Sequence, residues 1–221
     1  MIADISTVLK NPKLEIDEMK FEDGRWGVKN YDTYSALSTF FNSLEFQLDV
    51  RSICIQTKDD RILPIIRFLK PTNLEEIKIS AEYSTVEQFD KIAEMEQWKK
   101  AKKFSCHHFP NGFRFEKLSH FKELEINGFE FHGLNLIMVR DHLLKSADLE
   151  SCNLSMKFPF WGRGDSEMME ETILEIMCEI PAFDSRTRRV LIQNSPDYFQ
   201  LEYGRSSRRV YSLKITRVLG N

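Results

Sequence analysis

A six-residue pattern, apolar-x-x-apolar-x-apolar, recurs along the chain and constrains its architecture more than any other feature. Its apolar positions are Ile16, Met19 and Phe21; Val50, Ile53 and Ile55; Leu74, Ile77 and Ile79; Ala101, Phe104 and Cys106; Phe121, Leu124 and Ile126; and Leu149, Cys152 and Leu154. Successive copies start 34, 24, 27, 20 and 28 residues apart, and most of these intervals are typical of leucine-rich repeats. The last two apolar residues of each copy alternate with polar ones, as in a half-buried strand. The pattern therefore predicts six short strands.

The segments between these copies have apolar residues at three- and four-residue spacing, which is typical of amphipathic helices. The predicted helices cover residues 31–44, 61–70, 85–100, 134–146 and 166–178, with a short helical turn over 113–118. Thr85 and Gln88 have the spacing of a capping box at the start of the third helix. Because strands joined by helices pair in parallel, we expect an α/β fold: an irregular leucine-rich-repeat-like solenoid of parallel strands and helices.

The repeat stops after about residue 180. Residues 187–193, 197–203 and 208–218 alternate apolar and polar side chains and are separated by short turn-forming segments, which predicts an antiparallel β meander. A solenoid exposes apolar surface at its end, so this meander is expected to be the cap. We expect one domain over residues 1–221, with strand-helix repeats over 1–180 and the β cap over 181–221.

Composition limits the environment in which the chain is expected to work. The 221 residues are 42% hydrophobic, enough for a substantial core, and the four cysteines include no CxxC pair. The sequence opens with no signal peptide and has no apolar run of about eighteen residues, so we expect no membrane span and a cytoplasmic or nuclear protein. A formal net charge of −3 gives no bulk electrostatic argument for nucleic acid or membrane binding.

Several segments resemble a known family. They are EQWKKAKKF at residues 96–104, MVRDHLLKSADLESCNL at 138–154, VLKNPKLEIDEMKFE at 8–22, NSPDYFQLEY at 194–203 and YSLKI at 211–215. Together they resemble the nematode FTH domain, and the Gln-Trp-Lys-x-Ala-Lys core is fairly specific. The resemblance implies the recognition half of an F-box adaptor of a cullin-type ubiquitin ligase. Leu63-Pro64 resembles the Leu-Pro pair that opens many F-boxes, but it lies inside a predicted repeat helix and the residues after it do not fit an F-box. We therefore find no F-box in these residues.

No catalytic motif accompanies this pattern. Nucleophile elbow, HExxH, P-loop and GxGxxG sequences are all lacking, so we expect no enzyme activity and no cofactor. Cys106, His107 and His108 suggest zinc, but neighbours on a strand point to opposite faces and no second ligand pair follows at a recognisable spacing. We therefore expect no metal, and interpret Cys106 and Cys152 as small buried side chains. Asp165 is interpreted as part of a turn that leads into a helix.

Two surfaces are candidates for binding a partner protein. The first is the polar face of the strands, formed by Glu18, Lys20, Ser52, Cys54, Glu76, Lys78, Lys103, Ser105, Glu123, Glu125, Ser151 and Asn153. The second consists of large side chains in predicted loops: Phe158, Phe160, Trp161, Arg163 and Trp26. Aromatic and arginine side chains dominate binding energy at interfaces. The alternatives are a merely solvated strand exterior for the first surface, and loops folded back over the solenoid ends for the second.

Nucleic-acid binding is the alternative function. Residues 186–217 contain eight lysines and arginines against Asp197 and Glu202, and Tyr198, Tyr203 and Tyr211 lie among them. A basic stripe with tyrosines can neutralise phosphates and stack on bases. No RNA-recognition, KH or helix-turn-helix signature is present, and arginines also protect an exposed sheet edge from aggregation. A protein partner is therefore preferred.

Substituting Trp161 tests the loop hypothesis. We expect Trp161→Ala to keep the melting temperature within a few degrees and to weaken partner binding at least about tenfold, since a presented hot spot affects binding rather than folding. Trp98→Ala, at a predicted core position, should instead cost about 3–5 kcal/mol of stability, and Trp26→Ala tests the other loop. Thermal unfolding and a binding titration distinguish the outcomes. If Trp161→Ala unfolds as easily as Trp98→Ala, the loop is structural.

Overall fold

The part of the chain that the computed structural model describes has a mixed α/β structure with nine strands and few helices. That part is residues 8–22, 39–57, 65–81, 84–110, 112–130, 141–142, 145–146, 148–157, 187–192, 195–207 and 210–220. The chain is divided into two compact units, Met1–Phe113 and Arg114–Asn221. The expectation that all 221 residues form one domain stays a prediction.

The first unit contains four parallel strands in their sequence order. They are β1 (Glu15–Glu22), β2 (Asp49–Thr57), β3 (Glu76–Ala81) and β4 (Lys103–His107). Each coincides with a copy of the six-residue pattern, so the predicted strands and their parallel pairing are confirmed here. The register aligns the pattern itself, because Ile53 lies opposite Ile77 and Ile77 opposite Phe104.

Burial explains why these segments form strands. The last two apolar residues of β2, β3 and β4 are at most 1% exposed, and so they line one face, while the residues between them lie on the other. The first apolar residues of the same three copies, Val50, Leu74 and Ala101, are also buried. Three inward side chains therefore anchor each of β2, β3 and β4 to the core, whereas the apolar residues of the copy in β1 are half-buried.

Two α-helices occupy the segment predicted as one helix over residues 85–100. They are α1 (Val86–Ala93) and α2 (Glu96–Lys100), and Met95 between them is extended. The single-helix prediction is wrong because Ala93 and Trp98 are both buried, and in a continuous helix residues five apart point about 140° away from each other. The predicted capping box is confirmed: Gln88 N donates to Thr85 Oγ1 at 3.3 Å, and Thr85 N donates to Gln88 Oε1 at 2.9 Å.

An aromatic cluster forms the core beneath β3 and β4. Phe89 of α1 packs edge-on against Trp98, Phe104, Phe109 and Phe113, with ring centroids 5.6–6.4 Å apart. Edge-to-face pairs add to the stabilisation from burial alone. The predicted core position of Trp98 is confirmed, since that side chain is 1% exposed.

The second unit combines parallel and antiparallel strands. Its strands are β5 (Glu123–Glu130), β6 (Ser151–Lys157), β7 (Thr187–Leu191), β8 (Tyr198–Ser207) and β9 (Val210–Val218). The order is β5-β6-β9-β8-β7, with β5 and β6 parallel and the remaining pairs antiparallel. The predicted meander is therefore confirmed, and its last strand joins the repeat strands because Leu213 and Ile215 lie opposite Leu154 and Cys152.

Other predicted helices agree only in part with the structure. A 3-10 helix at Phe115–Leu118 confirms the short helical turn. The helix predicted over 61–70 extends too far, because the described helical residues are 65–66 and Leu69 forms a parallel bridge to Leu48. Residues 39–42 and 141–142 are helical, whereas 31–38, 61–64, most of 134–146 and all of 166–178 lie outside the described residues.

A buried amide connects successive copies of the pattern. Gln97 of α2 is 6% exposed, and its Nε2 donates to the carbonyl oxygen of Leu69 at 2.7 Å. Leu69 belongs to the segment before β3, so this bond joins two consecutive strand connections. A buried carbonyl that loses its donor costs free energy, since neither water nor protein replaces the bond.

Gln97→Leu should therefore destabilise the protein by about 1–3 kcal/mol. Lys99→Leu is the matched control on the same helix, because Lys99 is exposed and its ion pair with Glu96 is worth less than about 0.5 kcal/mol. Urea unfolding followed by circular dichroism measures both. Equal stabilities of the two variants would contradict the role assigned to the Gln97 amide.

Candidate functional site

The polar face of the first unit is built by the strand register. Opposite the buried side chains, two rows of residues run across the four strands. One row is Glu18, Ser52, Glu76 and Lys103, and the other is Lys20, Cys54, Lys78 and Ser105. The structure thus brings together the predicted site residues Glu76, Lys78 and Lys103.

Glu76 is the most strongly held acid on this face. Ser52 Oγ donates to Glu76 Oε2 at 2.7 Å, and Lys78 Nζ lies 2.9 Å from the same oxygen. Partial burial raises the pKa of Glu76, but the hydrogen bonds from Lys78 and Ser52 and the nearby charges outweigh it and lower the pKa overall. The hydrogen bond to Glu76 likewise raises the pKa of Lys78. Both side chains are therefore charged and held in place at neutral pH.

Cys54 lies between two lysines of this face. Its register partners are Lys20 on β1 and Lys78 on β3, and Lys20 Nζ is itself 3.1 Å from Glu18 Oε2. Burial raises the pKa of the Cys54 thiol in spite of the opposing effect of these two lysines. The thiol is therefore neutral, and the surroundings suit hydrogen bonding better than nucleophilic attack.

The polar face of the second unit extends beyond the repeat strands. Glu123 lies opposite Ser151 and Glu125 opposite Asn153, as the pattern predicts for site residues Glu123, Glu125 and Asn153. Asn153 in turn lies opposite Lys214 of β9, and Lys214 lies opposite Glu202 of β8. The sequence interpretation missed Lys214 and Glu202 as members of this face. Their alternation with the inward Leu213 and Leu201 is the signal that could have identified them.

Charges on β8 and β9 are partly matched by acids. Arg217 donates through Nη2 and Nε to Asp197 Oδ2 at 2.8 and 3.0 Å, and Lys214 Nζ lies 3.9 Å from Glu202 Oε2. The backbone N–H of Gly220 and the guanidinium of Arg217 lower the pKa of Asp197. The guanidinium carbon of Arg189 lies 4.8 Å from the ring centre of Tyr198, a cation–π contact.

The thiols of the other two described cysteines, Cys106 and Cys152, lie in the core. Cys106 and Cys152 are buried on the inward face, and burial raises the pKa of each thiol far above its usual range, in agreement with the interpretation of both as small core residues. His107 is exposed on the opposite side of β4 from Cys106. Among the described residues, no three His, Cys, Asp or Glu side chains converge as a metal site would require.

The aromatic loop candidates Phe158, Phe160, Trp161, Arg163 and Trp26 lie outside the described residues, as do Arg186, Arg208 and Arg209. Predictions about them stay predictions. Within the part of the chain that the structure describes, no helix is both long enough and apolar enough to cross a bilayer.

One of the segments that carry the family resemblance, residues 96–104, has a structural role. Gln97 and Trp98 are buried, as is Ala101, and the backbone N–H groups of Lys102 and Lys103 donate to the Glu75 carbonyl at 2.8 and 2.9 Å. The motif therefore joins α2 and β4 to the preceding repeat. It does not line the polar face, apart from the side chain of Lys103.

Comparison with known proteins identifies one family. The model of the FTH domain matches residues 31–174, which is more than half of the chain and includes β2 to β6. No curated protein and no solved structure matches the chain significantly.

The ion pair on the polar face predicts a pH dependence of stability. Because the folded-state pKa of Glu76 is lowered, its stabilising contribution is present above the unfolded-state pKa of about 4.3 and is lost as the pH falls through the folded-state value. Glu76→Gln should destabilise the protein by less than about 1 kcal/mol at pH 7, and this difference should vanish in acid.

Urea unfolding of wild type, Glu76→Gln, Lys78→Met and the double variant between pH 3 and pH 7 gives the coupling energy. Additive effects at pH 7 would show that the Glu76–Lys78 pair contributes no stability.

Proposed function

The chain belongs to the FTH domain family, and from this premise we propose that it is a protein–protein interaction domain that recruits a specific partner or substrate protein. FTH domains are associated with F-box proteins. The finer proposal is that this chain acts as the recognition half of an F-box adaptor of a cullin-type ubiquitin ligase. In this role it requires no cofactor and catalyses no reaction itself, and we place it in the cytoplasm or nucleus.

The observation that carries the proposal is the register-aligned polar face. Rows of short and charged side chains extend across neighbouring strands in each unit, and the Glu76 carboxylate is held by Ser52 and Lys78 before any partner arrives. Donors and acceptors aligned on neighbouring strands can form directional hydrogen bonds with the polar groups of another protein over a broad area. Prearranged side chains also lose less conformational entropy on binding.

Repetition supplies the second argument. In each unit the pattern-bearing strands are parallel, adjacent and in sequence order, and the connections contain short helices. We propose that these strand-helix units stack as irregular leucine-rich repeats and that β7 to β9 cap the last one. Stacked repeats commonly bind proteins on an extended face.

RNA binding is the second candidate, favoured by the Arg189–Tyr198 contact within a basic segment. An arginine stacked on a tyrosine provides a charge for a phosphate and a ring for a base. Against this candidate, Arg217 and Lys214 already lie beside Asp197 and Glu202, which reduces the positive potential available for phosphates. We therefore retain protein recognition as the main proposal.

The experiment begins with affinity capture on the full chain and identification of the bound protein by mass spectrometry. The dissociation constant of that protein is then measured by calorimetry at about 50 and about 200 mM salt. We expect it to rise less than about tenfold, because a protein interface depends less on counterion release than a phosphate interface does. A steeper salt dependence, together with tighter binding to oligoribonucleotides, would overturn the proposal.

Charge reversal locates the interface. Lys103→Glu and Glu125→Lys change the polar face of the first and second unit, and at least one should weaken partner binding about tenfold or more. Lys99→Glu is the matched control, since Lys99 is exposed on α2 outside the strand face. If neither variant differs from the control, the polar face is not the recognition surface.

A further inference from the structure

The strand β1 is the outermost strand of the first unit. In the order β1-β2-β3-β4 it pairs with β2 on one side, and on its other side no strand is present within the described residues. The pairing with β2 extends from Glu15 to Glu22, so β1 is regular over eight residues. The backbone of such an edge strand can pair with an extended segment of another chain, with backbone bonds giving affinity and alternate side chains giving specificity.

The apolar layer of the sheet is less completely covered at β1 than in the strands behind it. Met19 and Phe21 lie opposite Ile53 and Ile55, which are fully buried, whereas Met19 and Phe21 themselves are half-buried. Phe21 does pack against Phe41, with ring centroids 5.9 Å apart. The apolar rows that cross the four strands therefore end in partly exposed side chains. Apolar side chains of an added strand would continue these rows and remove more of their surface from water.

The polar side chains of β1 carry an excess of negative charge. They are four acids and one base, all exposed: Glu15, Asp17, Glu18, Glu22 and Lys20. The base is matched, because Lys20 Nζ lies 3.1 Å from Glu18 Oε2. Arg51 on the neighbouring strand bonds to Glu75 at 3.0 Å, and Lys10 and Lys13 precede β1 in the chain. Within the described residues, Glu15, Asp17 and Glu22 form no ion pair.

This charge selects among the chains that could pair with the edge. Charged side chains on an edge strand oppose pairing with chains that carry the same sign of charge. A second copy of β1 would place acids beside acids, and the phosphates of RNA would meet the same repulsion. Lysine and arginine side chains of an added strand would instead lie beside carboxylates. Charge complementarity therefore favours a basic segment of a different protein.

We propose that the outer edge of β1 binds an extended, basic segment of a partner protein as an additional strand. Apolar side chains of that segment lie beside Met19 and Phe21, and its lysine or arginine side chains lie near Asp17 and Glu22. This inference rests on the proposed function and specifies where in the first unit the partner docks and what chemistry it presents. A second copy of the chain and an RNA strand are the competing outcomes.

The test begins with a selection of peptides of about twelve residues from a random displayed library against the full chain. Selected peptides should carry lysine or arginine at positions that alternate with apolar residues, because these two kinds of side chain then lie on opposite faces of the added strand. The affinities of synthetic copies are measured by fluorescence polarisation.

Charge reversal on β1 locates the bound peptide. The double variant Asp17→Lys/Glu22→Lys should raise the dissociation constant of the peptide at least about tenfold. Glu45→Lys/Glu94→Lys is the matched control, because both acids are exposed in the first unit outside β1 and the net charge changes equally; it should change the constant by less than about twofold. A peptide with glutamate in place of each basic residue should bind the β1 lysine variant more tightly than wild type.

Backbone pairing with β1 has a separate signature. Alternate N–H groups of an added strand face the sheet edge, so two versions of the selected peptide are made, N-methylated at odd or at even positions. One version should bind at least about tenfold more weakly than the other. Equal affinity of the two versions would exclude strand addition.

Circular dichroism and thermal unfolding establish that the variants fold. If the lysine variant does not fold, the milder Asp17→Asn/Glu22→Gln replaces it and should raise the dissociation constant at least about threefold.

The remaining outcomes overturn the inference. They are acidic or neutral selected peptides, no enrichment, equal affinity of wild type and the β1 variant, tighter binding of oligouridylate than of any peptide, and self-association that the β1 variant abolishes while no peptide binds. If the captured partner binds wild type and the β1 variant equally, the proposed function stands and only the β1 site fails. If no protein partner binds at all, the proposed function itself fails.

Discussion

Parallel pairing in a single register determines which residues of each strand face the core, and the other features of the first unit depend on it. Ile53, Ile77 and Phe104 lie side by side across three strands and are nearly inaccessible to solvent. A shift of one residue would place these side chains in water and bring the intervening charges into the core. Since burying an unpaired charge is very costly, the apolar pattern selects one register and thereby creates the polar face.

Charges at the strand entrances reinforce that register. Arg51 and Lys102 flank Glu75, with Nε–Oε2 and Nζ–Oε1 distances of 3.0 and 3.4 Å, and the backbone of Glu75 bonds to both neighbours. The same arrangement joins Lys122 to Glu150 at 2.8 Å in the second unit. Each exposed ion pair contributes little free energy. Because positive and negative side chains alternate from strand to strand, however, a strand register that places like charges together is disfavoured.

Prediction from the sequence succeeded where the local spacing of residues determines the secondary structure. It failed where the structure depends on tertiary packing or on strand pairing. Six strands and the Thr85 capping box follow from local spacing, and the structure contains them. The break at Met95 could not be read from helical periodicity, because it arises from the need to bury Ala93 and Trp98 together. The membership of Lys214 in the polar face also escaped prediction, since it depends on antiparallel pairing of β9 with β6 rather than on the repeat.

The family motif and the polar face place different demands on the chain. Gln97 and Trp98 are buried, and Gln97 bonds to the preceding connection, so we expect substitutions there to alter stability. Outward residues such as Lys103 or Asn153 do not pack in the core, and substitutions on a protein surface usually change stability by less than about 0.5 kcal/mol. The face can therefore acquire new side chains without loss of the fold. Family membership therefore indicates the scaffold, and we propose that partner choice depends on the outward side chains of the polar face.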